Sequence, residues 1–157
     1  MMLAAATLDS RYGDSRRDHY DGIDLNKSIK LSLRKKNKLN YVEYATFVAK
    51  KSPMVQKHGC VIVHKGKIVA TGFNRPLQPF GYSVHAEADA VMKAKKIMSV
   101  ADLKQCSLYV VRIGTDAMNY PLKYSKPCVS CSNMIAKAKI DKVFYSISCE
   151  ESLCLIC

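Results

Sequence analysis

The rhythm of apolar and polar residues changes near residue 40. Before it, residues 1–38 show little apolar periodicity, many charges, and breakers at Gly13 and Gly22, which predicts a polar, flexible N-terminal extension. After it, Tyr41, Tyr44, Ala45, Val48 and Ala49 recur at helical spacing behind Asn40, a suitable cap. Ser52-Pro53 ends that helix. Residues 59–63 and 67–73 are β-rich runs, and His64-Lys65-Gly66 between them predicts a hairpin with Gly66 in the turn. The stretch 75–83 holds two prolines and a glycine and predicts a loop that brings Phe80 and Tyr82 toward His85.

From His85 to about Met98 the pattern predicts a helix, with Ala86, Ala90, Val91 and Ala94 inward and Lys93, Lys95 and Lys96 outward. Residues 107–112 predict a third strand, 113–126 a long loop whose length suits binding, 128–139 a third helix, and 143–147 a fourth strand. Residues 152–156 are expected to return as an antiparallel fifth strand, since a parallel crossover needs a dozen or more residues. The expected architecture is an α/β domain over 39–157, a mixed five-stranded sheet between helices with its last two strands antiparallel.

Two short stretches carry the chemistry. Cys128 and Cys131 in Pro127-Cys128-Val129-Ser130-Cys131 are three apart, so on a helix they lie on one face and can reach one ion, a spacing typical of zinc sites. Pro127 fits the first helical position, and the free N–H groups of a helix N-terminus favour the thiolates that zinc requires. His85 in His85-Ala86-Glu87 can be a third ligand. Three protein ligands leave a fourth tetrahedral position for water, which zinc acidifies to a pKa of about 7. Glu87 is then the natural proton carrier.

With these residues the chain resembles the zinc-dependent cytidine and deoxycytidylate deaminases, whose signature is H-x-E…P-C-x-x-C with a glutamate that is not a metal ligand. Lys57-His58-Gly59-Cys60-Val61-Ile62-Val63, Val69-Ala70-Thr71-Gly72-Phe73-Asn74 and Ile140-Asp141-Lys142-Val143-Phe144-Tyr145-Ser146 resemble further blocks of that family, so the resemblance spans about residues 40–147. It implies a cytidine-deaminase-like three-layer α/β/α sandwich and zinc held by His85, Cys128 and Cys131. It also implies hydrolytic deamination of cytosine in a free nucleoside or nucleotide, with Glu87 as general acid and base. Through the resemblance, Asn74 is expected to bond the sugar and the Cys60 backbone to touch the base edge, with Ala86, Lys126, Phe80 and Tyr82 also in contact with substrate. His58 is placed beside the pocket, outside the ligand set, and Arg75 and Arg112 join Lys126 as candidate phosphate partners. His-Ala-Glu is shared with deoxycytidylate deaminases, which commonly carry asparagine where this chain has Asp89.

Rival readings use the same residues. Cys154-Leu155-Ile156-Cys157 is a second Cys-x-x-Cys, and four thiolates would close a structural zinc site in a nucleic-acid-binding module. That reading leaves His85-Ala86-Glu87 without a purpose. A deaminase acting on cytosine or adenine in tRNA or single-stranded nucleic acid is the second alternative. The formal charge of +12 suits polyanionic or phosphorylated partners. The excess is +4 over residues 1–40 and +8 over 41–157, so it is not confined to a tail.

At 157 residues and 48% apolar composition the chain suits one domain with a substantial core. The opening Met1-Met2-Leu3-Ala4-Ala5-Ala6 is too short and lacks the basic start of a secretory signal, and no run approaches a membrane span. The expectation is a cytoplasmic homo-oligomer with reduced cysteines and a small-molecule partner, zinc as its sole cofactor, and nucleic acid as the second partner class.

Overall fold

A computed structural model of the chain describes residues 3–7, 41–79, 81–119 and 121–147. A central sheet runs in the order β1 (Leu3–Thr7), β8 (Lys142–Ser146), β6 (Cys106–Ile113), β2 (Lys57–His64), β3 (Lys67–Phe73), and the two-residue β7 (Leu122–Lys123) also pairs with β6. Among the described strands of this sheet only β6 and β8 run parallel; the other pairs are antiparallel. The sheet is therefore mixed, as expected, with five strands along its main path.

Helix α1 (Tyr41–Lys50) covers one face of the sheet, and α2 (Ala86–Ile97) and α4 (Val129–Lys137) cover the other. The short α3 (Val100–Leu103) joins α2 to β6. Val42, Ala45, Val48 and Ala49 of α1 pack against Val61, Val63, Val111 and Ile113. On the opposite face Ala86, Ala90, Val91 and Ala94 of α2 and Ile135 of α4 pack against Cys60, Ile62, Leu108, Val110 and Val143. Strand β2 is buried from Gly59 to Val63 without alternation, because it is covered on both faces.

Two glycines let the layers approach. A Cβ on Gly59 would sit 2.1 Å from the Ala45 carbonyl oxygen, and one on Gly72 would sit 2.3 Å from that of Ala86. The β2–β3 turn is tighter than expected: Lys65 and Gly66 alone make it, with φ of 48° and 80°, the twist that two-residue hairpins favour. The Tyr41 hydroxyl donates to the Gly66 carbonyl at 2.9 Å and ties α1 to that turn.

Several expectations are refined. The loop over 75–83 contains a small hairpin, β4 (Arg75–Leu77) with β5 (Tyr82–Val84), too short to leave a pattern. The loop over 113–126 holds a 3₁₀ turn at Asp116–Met118 and then β7. The fourth strand, β8, does have an antiparallel neighbour, but that neighbour is Leu3–Thr7. Its source is thus the segment assigned to the flexible extension, where a run of small apolar residues meets an open sheet edge. Residues 152–156, expected to fill that place, lie outside the described residues, as does the rest of 1–38.

Candidate active site

Strand β3 feeds through Asn74 and the β4–β5 hairpin into α2, and β7 feeds through residues 124–127 into α4. Each helix opens on a residue with extended backbone: His85 (φ −76°, ψ 154°) and Cys128 (φ −67°, ψ 167°) are the N-caps, and neither side chain caps its own helix. Pro127 therefore stands one residue before the cap rather than at the first helical position. Its missing N–H still costs the helix nothing, and Cys131 falls in the first turn.

The two N-termini converge. His85 Nδ1 lies 3.6 Å from Cys128 Sγ and 3.4 Å from Cys131 Sγ, and the three donor atoms lie within 4.8 Å of one another. A tetrahedral zinc ion with bonds of about 2.3 Å to sulfur and about 2.0–2.1 Å to nitrogen gives nitrogen–sulfur edges of about 3.5 Å. Both nitrogen–sulfur distances are thus already those such an ion requires, and two thiols with one imidazole form a donor set suited to zinc. Cys154 and Cys157, the rival ligands, lie outside the described residues.

Glu87 occupies the first turn of α2 and is only 5% exposed. Burial pushes its carboxyl above the ordinary range, against the pull of its own backbone N–H, the His85 imidazole and a hydrogen bond from Cys131. Burial likewise pushes the Cys131 thiol up, and the nearby Glu87 and Cys128 add to it. A metal cation bound there would reverse that balance, because it favours thiolate over thiol. Cys60, fully buried, is raised mainly by burial as well.

A cavity of about 410 Å³ opens beside these groups, lined by His85, Ala86, Glu87 and Cys128 together with His58, Asn74, Ser83, Ser125, Lys126 and residues 54–56. Of the residues expected at the substrate, Asn74, Ala86 and Lys126 line it. Cys60 does not, since it lies in the core beneath α2. Tyr82, 75% exposed on β5, is not among the lining residues, and Phe80 lies outside the described residues. Arg75 is drawn to Asp89 at 3.6 Å, where Lys93 also binds at 2.6 Å, so it is not among the lining residues.

Asn74 is more than a lining residue. Its Oδ1 accepts from the His58 N–H and its Nδ2 donates to the Gln56 carbonyl, both at 2.7 Å. Ser52 Oγ donates to the Asn74 carbonyl at 2.7 Å. The amide that was expected to meet a sugar thus pins the entrance of β2. A similar role falls to Ser125 and Ser146, both buried. Ser125 Oγ donates to the Val110 carbonyl at 3.0 Å and accepts from the Ser146 N–H at 2.9 Å. Three residues before Cys128, this hydroxyl fixes the chain that leads into α4. Sequence reasoning missed Ser125 because a lone serine in a loop carries no pattern.

His58 was expected beside the pocket and does line it. Burial, with Arg112 and His85 adding to it, holds the His58 imidazole below its usual pKa.

The model of the cytidine and deoxycytidylate deaminase zinc-binding region matches residues 35–147. The chain is 32% identical over 88 residues to a guanine deaminase of Bacillus subtilis (strain 168), covering 56% of this chain and 48% of that protein; it thus spans about half the length of the curated relative it matches. Among solved structures, a dCMP deaminase from the cyanophage S-TIM5 is 26% identical, with a TM-score of 0.50 over 74% of this chain and 86% of its own. A cytidine deaminase from Burkholderia pseudomallei shares the fold at 20% identity and a TM-score of 0.50, over 64% of this chain and 75% of its own. With two helix N-termini presenting His-x-Glu and Pro-Cys-x-x-Cys to one point on a mixed sheet, and a family match over most of its length, the chain belongs to the cytidine and deoxycytidylate deaminase family.

Proposed function

We propose that this chain catalyses hydrolytic deamination of cytosine in a free nucleoside or nucleotide, giving the uracil product and ammonia. The observation that carries the reading is Glu87: a carboxyl buried in the first turn of α2, beside three metal-donor side chains and facing a cavity. A structural metal clip has no use for such a group, whereas deamination requires a proton carrier at that place.

Zinc held by His85, Cys128 and Cys131 would supply Lewis acidity and lower the pKa of water in the cavity. Glu87 takes a proton from the attacking water and delivers it to the ring nitrogen next to the amino-bearing carbon, which relieves charge that develops there in the transition state. The second proton of the water passes by the same carboxyl to the leaving amino group, which departs as ammonia while the carbonyl forms. A carboxyl whose pKa is raised by burial suits both directions of transfer better than one at its ordinary value. The cavity volume falls within the range of small-molecule sites, which supports a free nucleoside or nucleotide. Guanine is the competing base, since the Bacillus relative acts by name on guanine.

The test is ammonia release from the zinc-loaded protein with cytidine, deoxycytidine, their monophosphates, guanine, single-stranded DNA and tRNA. Release from the free cytosine compounds is expected; release from guanine or a polynucleotide alone would refute the reading. Glu87→Gln should keep bound zinc while losing at least about 10²–10⁴ in rate. Loss of zinc would instead make Glu87 a ligand.

A further inference from the structure

The end of the sheet farthest from the metal-donor cluster carries lysines that the proposed chemistry does not use. Strand β2 runs from His58 beside the cavity to His64 at that far end, a distance of about 20 Å. There β2 turns into β3 through Lys65 and Gly66, and β3 starts at Lys67. Helices α2 and α4 both start at the cavity, so their last turns, with Lys95 and Lys96 on α2 and Lys137 on α4, lie at the far end too. Lys142, the first residue of β8, is level with Ser107, and Cys106 beside it is level with His64. All of these lysines are exposed. From Lys142 on β8 across β6 and β2 to Lys67 on β3 is three strand spacings, about 14 Å. The described carboxylates at this end are fewer: Asp141, Glu43 in the first turn of α1, and Asp102, whose Oδ2 accepts from Ser99 Oγ at 2.7 Å.

Two lysines at this end stand where the backbone disfavours them. Lys65, with φ of 48°, is the first residue of the two-residue hairpin turn, a position that asparagine before glycine suits best. Lys139, with φ of 63°, ends α4. Its N–H donates to the Ala136 carbonyl at 2.9 Å, and the Ile140 N–H to the Ile135 carbonyl at 3.3 Å. Helix endings of this form usually place glycine at the left-handed residue. Among the described residues the other non-glycine with positive φ is Asn119, of a type that tolerates the region. A Cβ is unfavourable at both lysine positions, so local folding does not account for lysine at either. Positive charge is thus kept against backbone preference at two points of one exposed end.

We propose that this lysine end is a docking surface for the phosphodiester backbone of a double-stranded nucleic acid, separate from the catalytic cavity and independent of how that cavity is read. Ammonium groups that neutralise phosphates release condensed counterions, which drives such binding without reading sequence. The span from Lys142 to Lys67 is comparable to a groove about 12 Å wide, so lysines on β8 and β3 can meet phosphates on its two sides. A single strand fits less well, because it is gripped by stacking on aromatic rings. The exposed aromatics among the described residues are Phe47, Tyr82 and Tyr124, on the later half of α1, on β5 and beside β7, none of them at this end. Ile97 and Val100 are exposed there, but two side chains bury far less than the apolar face of a helix that lies in a bilayer.

Fluorescence anisotropy on the zinc-loaded full chain tests the proposal, with one labelled 20-base-pair sequence offered as duplex DNA, as duplex RNA and as a single strand, and with vesicles of phosphatidylserine and phosphatidylcholine as competitor. A duplex is expected to bind with a log–log salt slope of about −4, as four or five phosphate contacts give. The DNA and RNA arms show which backbone is preferred. Lys65→Asn and Lys139→Gly remove one charge each and suit the left-handed backbone, so both should melt no lower than the wild type. Each should weaken duplex binding about 5- to 10-fold at 0.1 M salt and flatten the slope by about one. Lys51→Gln, at the cavity end of α1, should leave binding unchanged and serves as the control for overall charge. Absence of duplex binding at 0.1 M salt, equal weakening by Lys51→Gln, tighter binding of the single strand, or displacement of the duplex by the vesicles would overturn the proposal.

Discussion

Gly72→Ala should damage the active site through the backbone alone. The added Cβ would lie 2.3 Å from the Ala86 carbonyl oxygen and 2.5 Å from the Ala90 amide nitrogen, where ordinary contact begins at about 3.4 Å, so β3 and α2 must separate by about 1 Å. Both obstacles are main chain, and no rotamer change relieves them. Overpacking of this kind costs about 1–3 kcal/mol. The helix that moves carries His85 and Glu87 at its N-terminus, and a 1 Å misplacement of catalytic groups costs on the order of 10²-fold in rate. Gly59→Ala is the matched control, since its Cβ would meet Ala45 and Ala49 of α1 at 2.1 and 2.5 Å on the opposite face. Denaturant unfolding should show both variants destabilised by similar amounts, while kcat of the folded fraction should fall much further in Gly72→Ala. Wild-type stability in Gly72→Ala, or an equal loss of kcat in the two, would refute the reasoning.

Other outcomes follow from the same contacts. Asn74→Ala leaves the His58 N–H and the Gln56 carbonyl without partners and should cost about 1–3 kcal/mol in denaturant unfolding. Ser125→Ala removes the hydroxyl that fixes the approach to Cys128 and should weaken zinc binding about 10- to 100-fold in competition with a chromophoric chelator, with Ser125→Thr restoring most of it. Tyr109 is pushed up to about 12, chiefly by burial, so its folded pKa exceeds its unfolded value of about 10. Stability linked to Tyr109 is then fully present below about pH 10 and lost as pH rises toward 12, by about 2 kcal/mol before solvent screening is allowed for. Tyr109→Phe should lose less stability than wild type between pH 9 and pH 11.5.

Legibility differed between elements for physical reasons. The helix over 41–50 and the 57–73 hairpin were readable because their signals are local: repeats of 3.6 and 2, and a Gly66 whose φ of 80° suits no other residue as well. The hairpin at 75–84 was not, because three-residue strands hold too few positions for a period to show. The antiparallel neighbour that β8 has among the described residues is Leu3–Thr7, whereas the segment expected there, 152–156, lies outside them. A sheet edge is filled by whichever segment reaches it, and nothing in the sequence of Leu3–Thr7 records where it will dock.

The sequence by itself determined two local pairs, Cys128 with Cys131 and His85 with Glu87, since the spacing within each is fixed by the chain on one helical turn. Only the tertiary structure decided that those two turns meet with 3.4–3.6 Å between the imidazole nitrogen and the two sulfurs, because His85 and Cys128 are 43 positions apart in the chain and only packing on a common sheet joins them. The tertiary structure also turned the Asn74 amide toward the backbone at 56–58 and aligned His58, Arg112 and Lys123. Cross-strand register is a property of paired strands, and no single strand carries it.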